Sequence, residues 1–304
     1  MTLDYISDEN LEKTLSKFGD QSDEYTDDEN RAIQEYFELF DNDEETLPFR
    51  KYATKGLVIP GLRSCNLDAK LAFKSMKALH YHATKTYPEL FAQLDPLKLK
   101  PIIEKKLFQV VKRPVDKGPA IVVFRIRNWK PSEANIEHLA LTGALYIYAV
   151  AKMSAEIQRQ GIIVVSDVSG FKLAHARQAS VDLIMMSLRL YTTMPPMIKG
   201  MVAINSLRLF EASFNMFKWI LPEDIRKIMH ITRNDMSHMT KLMAPDRLPV
   251  EFGGTIPDEE AYMDQIEDEI LKDPELFILI KHVQDEFMAT NGIKRKHSNK
   301  FNKI

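Results

Sequence analysis

A single cysteine, Cys65, rules out a disulfide within the 304-residue chain and reads as a small buried apolar residue in a reducing, cytoplasmic setting. Eleven glycines are too few for the many tight turns of a large antiparallel sandwich. The longest nearly charge-free apolar stretch, from Leu139, stops at Lys152 after thirteen residues. That is short of the roughly 18 to 20 residues that cross a bilayer. The acidic start, with Asp4, lacks the basic and then apolar pattern of a secretory signal. Excess charge is also missing: the formal net charge of −2 excludes a nucleic-acid binder that works through a strongly basic field.

Catalytic motifs are scarce too. The chain has neither a GxGxxG turn nor a P-loop, and the first β-rich run leads into Arg127-Asn128-Trp129-Lys130-Pro131 without a glycine. Backbone amides crowded by Cβ atoms cannot cradle a phosphate closely. The serine nearest to a nucleophile elbow, Ser169, lacks the first glycine of GxSxG. His80 and His82 are two apart, which on a helix points them about 200° away from each other. The other histidines offer no paired ligand spacing, so neither a metal nor an organic cofactor is called for.

What the chain does have is a globular composition, 45% hydrophobic and 28% charged, with charge unevenly placed. The first fifty residues hold sixteen acids and four bases, and the last thirteen carry five bases (Lys294, Arg295, Lys296, Lys300 and Lys303) and no acid. Both ends read as flexible tails. Apolar residues at Ile33, Tyr36, Phe37 and Phe40, and again at Leu71, Phe73, Met76 and Leu79, recur every three or four positions, which predicts a helical front half to about Asp95. Pro60-Gly61 predicts a broken or displaced helix before Leu62-Arg63. Three β-rich runs follow, at residues 121–126, 162–165 and 201–204, with starts about 40 residues apart and helical patterns between them. This spacing predicts βαβ crossovers and a mostly parallel sheet, with residues 227–231 as a short edge strand.

The segment 208–221 has an unusually wide apolar face. Phe210, Phe214, Phe217 and Leu221 form one line, Leu209, Met216 and Ile220 a second, and Trp219 adds breadth. It fits either a deeply buried helix or a movable lid with an inner line on an apolar cavity and an outer line free to meet a membrane. The preceding crossover is rich in methionine and leucine, including Ile184, Leu188 and Met194, which suits an adaptable apolar wall or ordinary core filling. Tyr146, Tyr148, Ser166, His175 and Tyr191 are interspersed, either to orient one polar end of a lipid or as satisfied core groups.

Several motifs together resemble the CRAL-TRIO lipid-binding family, which includes the cellular retinaldehyde-binding and tocopherol transfer proteins. They are Leu62-Arg63 with Asn66-Leu67-Asp68; Tyr87-Pro88-Glu89-Leu90-Phe91; Val122-Val123-Phe124-Arg125; Gly161-Ile162 with Asp167, Gly170-Phe171 and His175; Lys199-Gly200; Ile204-Asn205; and above all Leu248-Pro249-Val250-Glu251-Phe252-Gly253-Gly254. The resemblance implies an α/β chain in which a helical N-terminal domain precedes a CRAL-TRIO domain, with a mostly parallel sheet flooring an apolar pocket closed by a gate helix. On this reading residues 1–95 are the acidic and helical N-terminal part, 96–257 the lipid-binding domain, and 258–304 C-terminal helices and a basic tail. The gate falls on 205–221, and the pocket candidates are Phe124, Val164, Val168, Phe171 and Ile204 together with the side chains named above.

One departure bears on membranes. Where tocopherol-transfer-like members carry two basic residues before a glycine and further ones later, this chain has Met197-Ile198-Lys199-Gly200, then Asp224 and Ile228. The headgroup candidates are therefore Lys199, Lys218, Arg226 and Lys227, facing an anionic or phosphoinositide-containing surface or simply solvent. The leading expectation is a non-enzymatic carrier of a retinoid, carotenoid, tocopherol or related lipid, peripherally attached to membranes. The alternatives are a lipid-sensing trafficking or signalling adaptor, whose acidic start would recruit a protein partner, and a lipid enzyme, which the absent elbow disfavours.

Overall fold

The structure, a computed structural model, describes residues 6–18, 25–112, 118–193 and 197–292; Met194, Pro195 and the basic residues after Asn291 lie outside them. The helical front half consists of α1 (Asp8–Lys17), α2 (Asp27–Asp41), α3 (Lys55–Ser64), α4 (Ala69–Tyr81), α5 (Pro88–Phe91) and α6 (Pro96–Ile103). Their starts follow from local chemistry. The Ser7 hydroxyl accepts from Asn10 N–H at α1, and Thr26 and Glu29 satisfy each other's backbone N–H groups in a capping box at α2.

Two sequence expectations fail here. Residues 8–17 are helical and not a tail: Thr14 is buried, and Leu11 and Leu15 pack on the apolar cluster of α2 and α3. Two apolar residues in ten give too weak a periodicity to stand out. Likewise α3 runs straight through Pro60. An interior proline costs about 3 kcal/mol. Val58, Ile59 and Leu62 are all buried, and burial stabilises by roughly 1.5 to 3 kcal/mol per such side chain, so packing wins. The Pro60 carbonyl still accepts the Ser64 hydroxyl at 2.9 Å.

The chain divides into two units. The first comprises Met1–Lys98, Thr192–Pro195 and Lys272–Ile304, the second Leu99–Tyr191 and Pro196–Leu271. In the first, Ile33, Tyr36, Phe40, Phe49, Leu62 and Phe287 share one core. Phe287 belongs to α15 (Glu275–Thr290), whose Gln284 amide donates to the carbonyls of Ala83 and Pro88 at 2.8 and 2.9 Å. The expected C-terminal region is thus split, because α14 (Ile266–Lys272) packs in the second unit, where Glu267 accepts the Tyr146 hydroxyl at 3.0 Å.

The second unit holds a five-stranded sheet in the order β1 (Phe108–Val110), β2 (Ala120–Arg125), β3 (Ile162–Asp167), β4 (Ile198–Ile204), β5 (Met229–Ile231). Strands β2 to β5 are parallel, as their spacing predicts. Antiparallel β1 is three residues long, too short to announce itself in sequence. The crossovers are α7 (Ile136–Met153) and α8 (Ala155–Gln160); α9 (Leu173–Ala176) and α10 (Val181–Thr193); and α11 (Arg208–Phe217) and α12 (Glu223–Ile228), with α13 (Ser237–Leu242) after β5. Lys227 and Ile228 are the last two residues of α12 and lie outside the edge strand. Since the strand order follows the chain order and such crossovers are right-handed, all three connections fall on one face of the sheet.

In the first unit the His80 ring sits 4.3 Å from the Phe49 ring, and burial pulls its pKa down from 6.5 to about 4. The folded chain favours the neutral ring, whereas the unfolded chain takes up the proton near pH 6.5. Stability should therefore be fully present above that pH and fall as pH drops toward 4, by about 3 kcal/mol over the window. Denaturant melts of wild type and His80→Phe across this range should show the slope in the former and a reduced slope in the latter.

Candidate functional site

The two faces of the central strands differ. On one, Ile121, Val123, Ile163, Val165, Val202 and Ile204 are at most 2% exposed and pack against Met239, Met243, Leu248 and Phe252. The other face is aligned by the register, which sets Phe124 beside Ser166 and Ala203, and Val122 beside Val164 and Met201. Of these only Val122 is buried; Phe124, Val164, Ser166, Met201 and Ala203 are half-exposed in the middle of a parallel sheet. Such strands are ordinarily covered on both faces. Partial exposure there means that the described side chains of α10 and α11 do not cover this part of the face completely.

The helices on that side tell the same story. No residue of α11 is buried, and none of the described side chains of α10, residues 181–191, is buried either, although both are strongly apolar. Ile184, Leu188 and Tyr191 lie at helical spacing on α10, all half-buried, and the Tyr191 hydroxyl reaches the Ile198 carbonyl at 3.4 Å. On α11 and the 3-10 turn after it, Phe210, Phe214, Phe217 and Ile220 are half-buried, as is Leu221 just beyond. The line on the other side is out in solvent, with Leu209 at 40%, Met216 at 68% and Trp219 at 75% exposure. Phe210 meets the Phe171 ring edge-on at 5.3 Å. The arrangement is an amphipathic cover over an incompletely filled floor.

Residues 104–254 match the CRAL/TRIO domain. The chain is 26% identical over 200 residues to the alpha-tocopherol transfer protein-like protein of Homo sapiens, covering 64% of this chain and 56% of that one. It is 26% identical over 141 residues to clavesin-1 of Rattus norvegicus, covering 46% and 40%. The chain therefore spans about half the length of these curated relatives. A crystal structure of Sfh5 superposes with a TM-score of 0.52 at 11% identity, over 86% of this chain and 98% of that one, which speaks for the fold.

This chain belongs to the CRAL-TRIO family.

The family's signature segment has a clear physical task in this CRAL-TRIO domain. Phe252, fully buried, closes the packed face of the sheet, while Glu251 takes a two-pronged bond from the Arg125 guanidinium. Gly253 adopts φ +82°, and a Cβ on Gly254 would lie 2.0 Å from the Leu248 carbonyl oxygen, so the turn requires glycine at both. Arg125 also donates to Asp167 at 3.2 Å, and Asp167 accepts from the Asn205 amide and Ser169 N–H at 3.0 and 3.1 Å. Burial alone would raise the two carboxylates, but these bonds outweigh it and hold both below their ordinary range. The network ends at Asn205, which takes φ +55° immediately before the segment leading to α11.

The remaining CRAL-TRIO pocket candidates separate into two groups. Phe124, Val164, Ser166, Phe171, Ile184, Leu188 and Tyr191 are half-exposed and fall on the floor or its cover. Tyr148, on α7, is half-buried with the Lys152 ammonium 5.3 Å from its ring. Ile204 does not belong with them: strand alternation turns it to the packed face, and Met201 and Ala203 take the place on β4. Nor do Tyr146, fully buried against Glu267, Val168, at 1% exposure, or His175. The His175 ring stacks on Trp129 at 5.2 Å, one nitrogen accepting from Lys172 N–H and the other 3.1 Å from the Trp129 carbonyl. Counting positions by twos from Val164 through the pairing register would have found Met201 and Ala203.

Lys199, Arg226, Lys227 and Lys218 are all exposed. Lys199 is the extra residue of a bulge opposite Ile162/Ile163, at the start of β4, whereas α11 leaves from the other end of that strand. Lys227 is engaged by Glu223 at 3.0 Å. Among the described residues no group of three metal-ligating side chains forms, and no helix is long and apolar enough to cross a membrane. A cleft of about 360 Å³ lies in the first unit, walled by Leu11, Leu15, Tyr52 and Ala289 and rimmed by the charged Asp8, Lys51, Asp285 and Glu286, away from the sheet's own unit.

Arg125→Ala strands two carboxylates, Asp167 and Glu251, in the interior. It should destabilise the protein by about 3 to 5 kcal/mol, and Glu251→Gln by less, as measured by denaturant unfolding.

Proposed function

We propose that this chain is a non-enzymatic carrier that holds a hydrophobic small molecule between the half-exposed face of the sheet and α10 and α11, and passes it between membranes when α11 lifts. The observation that carries the reading is the incompletely covered floor: Val164, Ser166, Met201 and Ala203 are partly exposed, and among the described residues neither α10 nor α11 buries a side chain. A guest that loses roughly 400 Å² of apolar surface to these walls gains about 10 kcal/mol before ordering costs, at roughly 25 cal/mol per Å². Release into water would then be slow, and a bilayer, which accepts the guest directly, solves that problem. Leu209, Met216 and Trp219 are the side chains that enter the headgroup boundary.

The family relationship supports a lipid of the tocopherol, retinoid or carotenoid kind, with Ser166 offering a hydroxyl to one polar end. A cytoplasmic protein held peripherally at membranes fits this use. The adaptor reading has less support, because at least four of the sixteen acids in the first fifty residues are engaged within the chain: Glu29 by Arg63, Asp43 by Lys77, Glu45 by Lys77 and Lys85, and Asp41 by Arg50.

Organic extraction of the purified protein followed by mass spectrometry should yield one hydrophobic species in near-stoichiometric amount; a protein free of any such guest, and unable to take one up from vesicles, would defeat the proposal. Met216→Asp combined with Trp219→Asp should slow vesicle-to-vesicle transfer about ten-fold or more while leaving retention of the guest in solution unchanged. Phe214→Asp, on the inner line, should weaken retention itself. Equal transfer by the double variant and wild type would reject α11 as the membrane-facing cover.

A further inference from the structure

Among the described residues, the side-chain hydrogen bonds that tie α11 to the rest of the unit all run through one residue. Glu211 accepts from the Arg233 guanidinium at 2.8 and 2.7 Å and from the Ser206 hydroxyl at 2.8 Å. The helix's other side-chain bonds stay local, from Ser213 to the Leu209 carbonyl and from Trp219 to the Met216 carbonyl. Its N-cap, Leu207, offers no capping oxygen. Arg233 follows β5, whose end is fixed to the sheet by Thr232, with its N–H on the Ala203 carbonyl at 2.8 Å and its carbonyl on Ser206 N–H at 3.1 Å. One exposed ion pair therefore clasps the start of the cover to the sheet's edge.

The pair is built to be exchanged. Arg233 is 59% exposed and Glu211 29%. Both Glu211 oxygens serve the guanidinium, and the fork that grips a carboxylate grips a phosphate equally well. The Arg233 and Ser206 bonds, with Arg208 nearby, hold the Glu211 carboxyl down to about 2, so near neutral pH the clasp opens by competition and not by protonation. The competitor must be an anion that arrives where the exposed Leu209, Met216 and Trp219 have a place to go.

We infer that Arg233 is a receptor for the phosphate of an anionic membrane lipid, which displaces Glu211 and thereby frees α11 to lift. The inference rests on the carrier reading and adds the trigger to it. It assigns recognition to a residue apart from Lys199, Arg226 and Lys227, which belong to the other end of the β4 and β5 strands.

The test follows insertion of Trp219 in the full chain by brominated-lipid quenching; the second tryptophan, Trp129, is buried. Vesicles are phosphatidylcholine with or without phosphatidic acid. In wild type, phosphatidic acid should raise insertion roughly two- to five-fold, the range an exposed ion pair can gate. Arg233→Ala should insert into pure phosphatidylcholine better than wild type, although it has lost a cation, and should gain nothing from phosphatidic acid. Glu211→Gln should show the same gain on the neutral vesicles. Asp28→Asn and Arg31→Ala, which make the same charge changes in an exposed pair of the first unit, should keep the wild-type lipid dependence.

Inorganic phosphate added to phosphatidylcholine vesicles should leave insertion unchanged; a rise equal to that with phosphatidic acid would overturn the assignment to a lipid. An Arg233→Ala protein that behaves on neutral vesicles as wild type does, and still responds to phosphatidic acid, would overturn the clasp while leaving the carrier reading intact. Absence of Trp219 quenching in every vesicle would overturn membrane docking and the clasp with it.

Discussion

The handedness of parallel crossovers governs this molecule. A sheet that grows in one direction, β2 to β5, and is connected each time in the right-handed sense must put every connecting helix on the same side. The far side then has no cover of its own and must borrow one, and it does so from α13 and the segment 248–254. That borrowed cover packs tightly, with Phe252 and Met239 wholly excluded from water. On the side rich in helices α7 packs just as closely, with Tyr146 and Val150 wholly buried, and the looser packing is confined to α10 and α11. The two faces of the sheet are thus filled to different degrees, and the looser part is where the proposed guest would sit.

Polar groups are arranged to keep this asymmetry. Arg125 sits at the end of β2 with Glu251, Asp167, Gln109 and Tyr262 around it, and its charge is retained because two carboxylates repay the loss of water. The network reaches Asn205 through Asp167, so the point from which α11 departs is anchored to the same charge cluster that holds the signature segment in place. Beyond Asn205 the interactions change character. The bonds from Ser206 and Arg233 to Glu211 lie nearer water, and the aromatic contact between Phe210 and Phe171 is apolar. A rigid root and a loosely held arm is the arrangement that the proposed lifting of α11 requires.

Much of this architecture could be read from the chain, and the exceptions have causes. Starts about 40 residues apart with helical patterns between them point to the parallel order, because a parallel pair needs a crossover of at least about a dozen residues, usually a helix. The loss of Cβ at Gly253 and Gly254 and the apolar width of 208–221 are also local signals. Choosing Ile204 over Ala203 was an error of parity: both are apolar, and only the pairing partner tells which side each faces. Tyr146 and His175 look like ligand-orienting groups until Glu267 and the Trp129 carbonyl are seen beside them, and the first of those partners is 121 residues away. The Glu211–Arg233 pair is separated by 22 residues and has no motif, so it could only be found in three dimensions.

The long reach of these bonds sets the order in which the chain can mature. Arg125 waits for Glu251, 126 residues later, and the carbonyl of Ala83 waits for Gln284, 201 residues later. A nascent chain leaving the ribosome therefore exposes the greasy underside of its sheet until Phe252 has emerged, and leaves its helical core without Phe287 until α15 follows. Domains normally fold as they emerge, N-terminal first. Here both cores are completed by segments that lie well downstream of the parts they cover, so neither closes before those segments have left the ribosome.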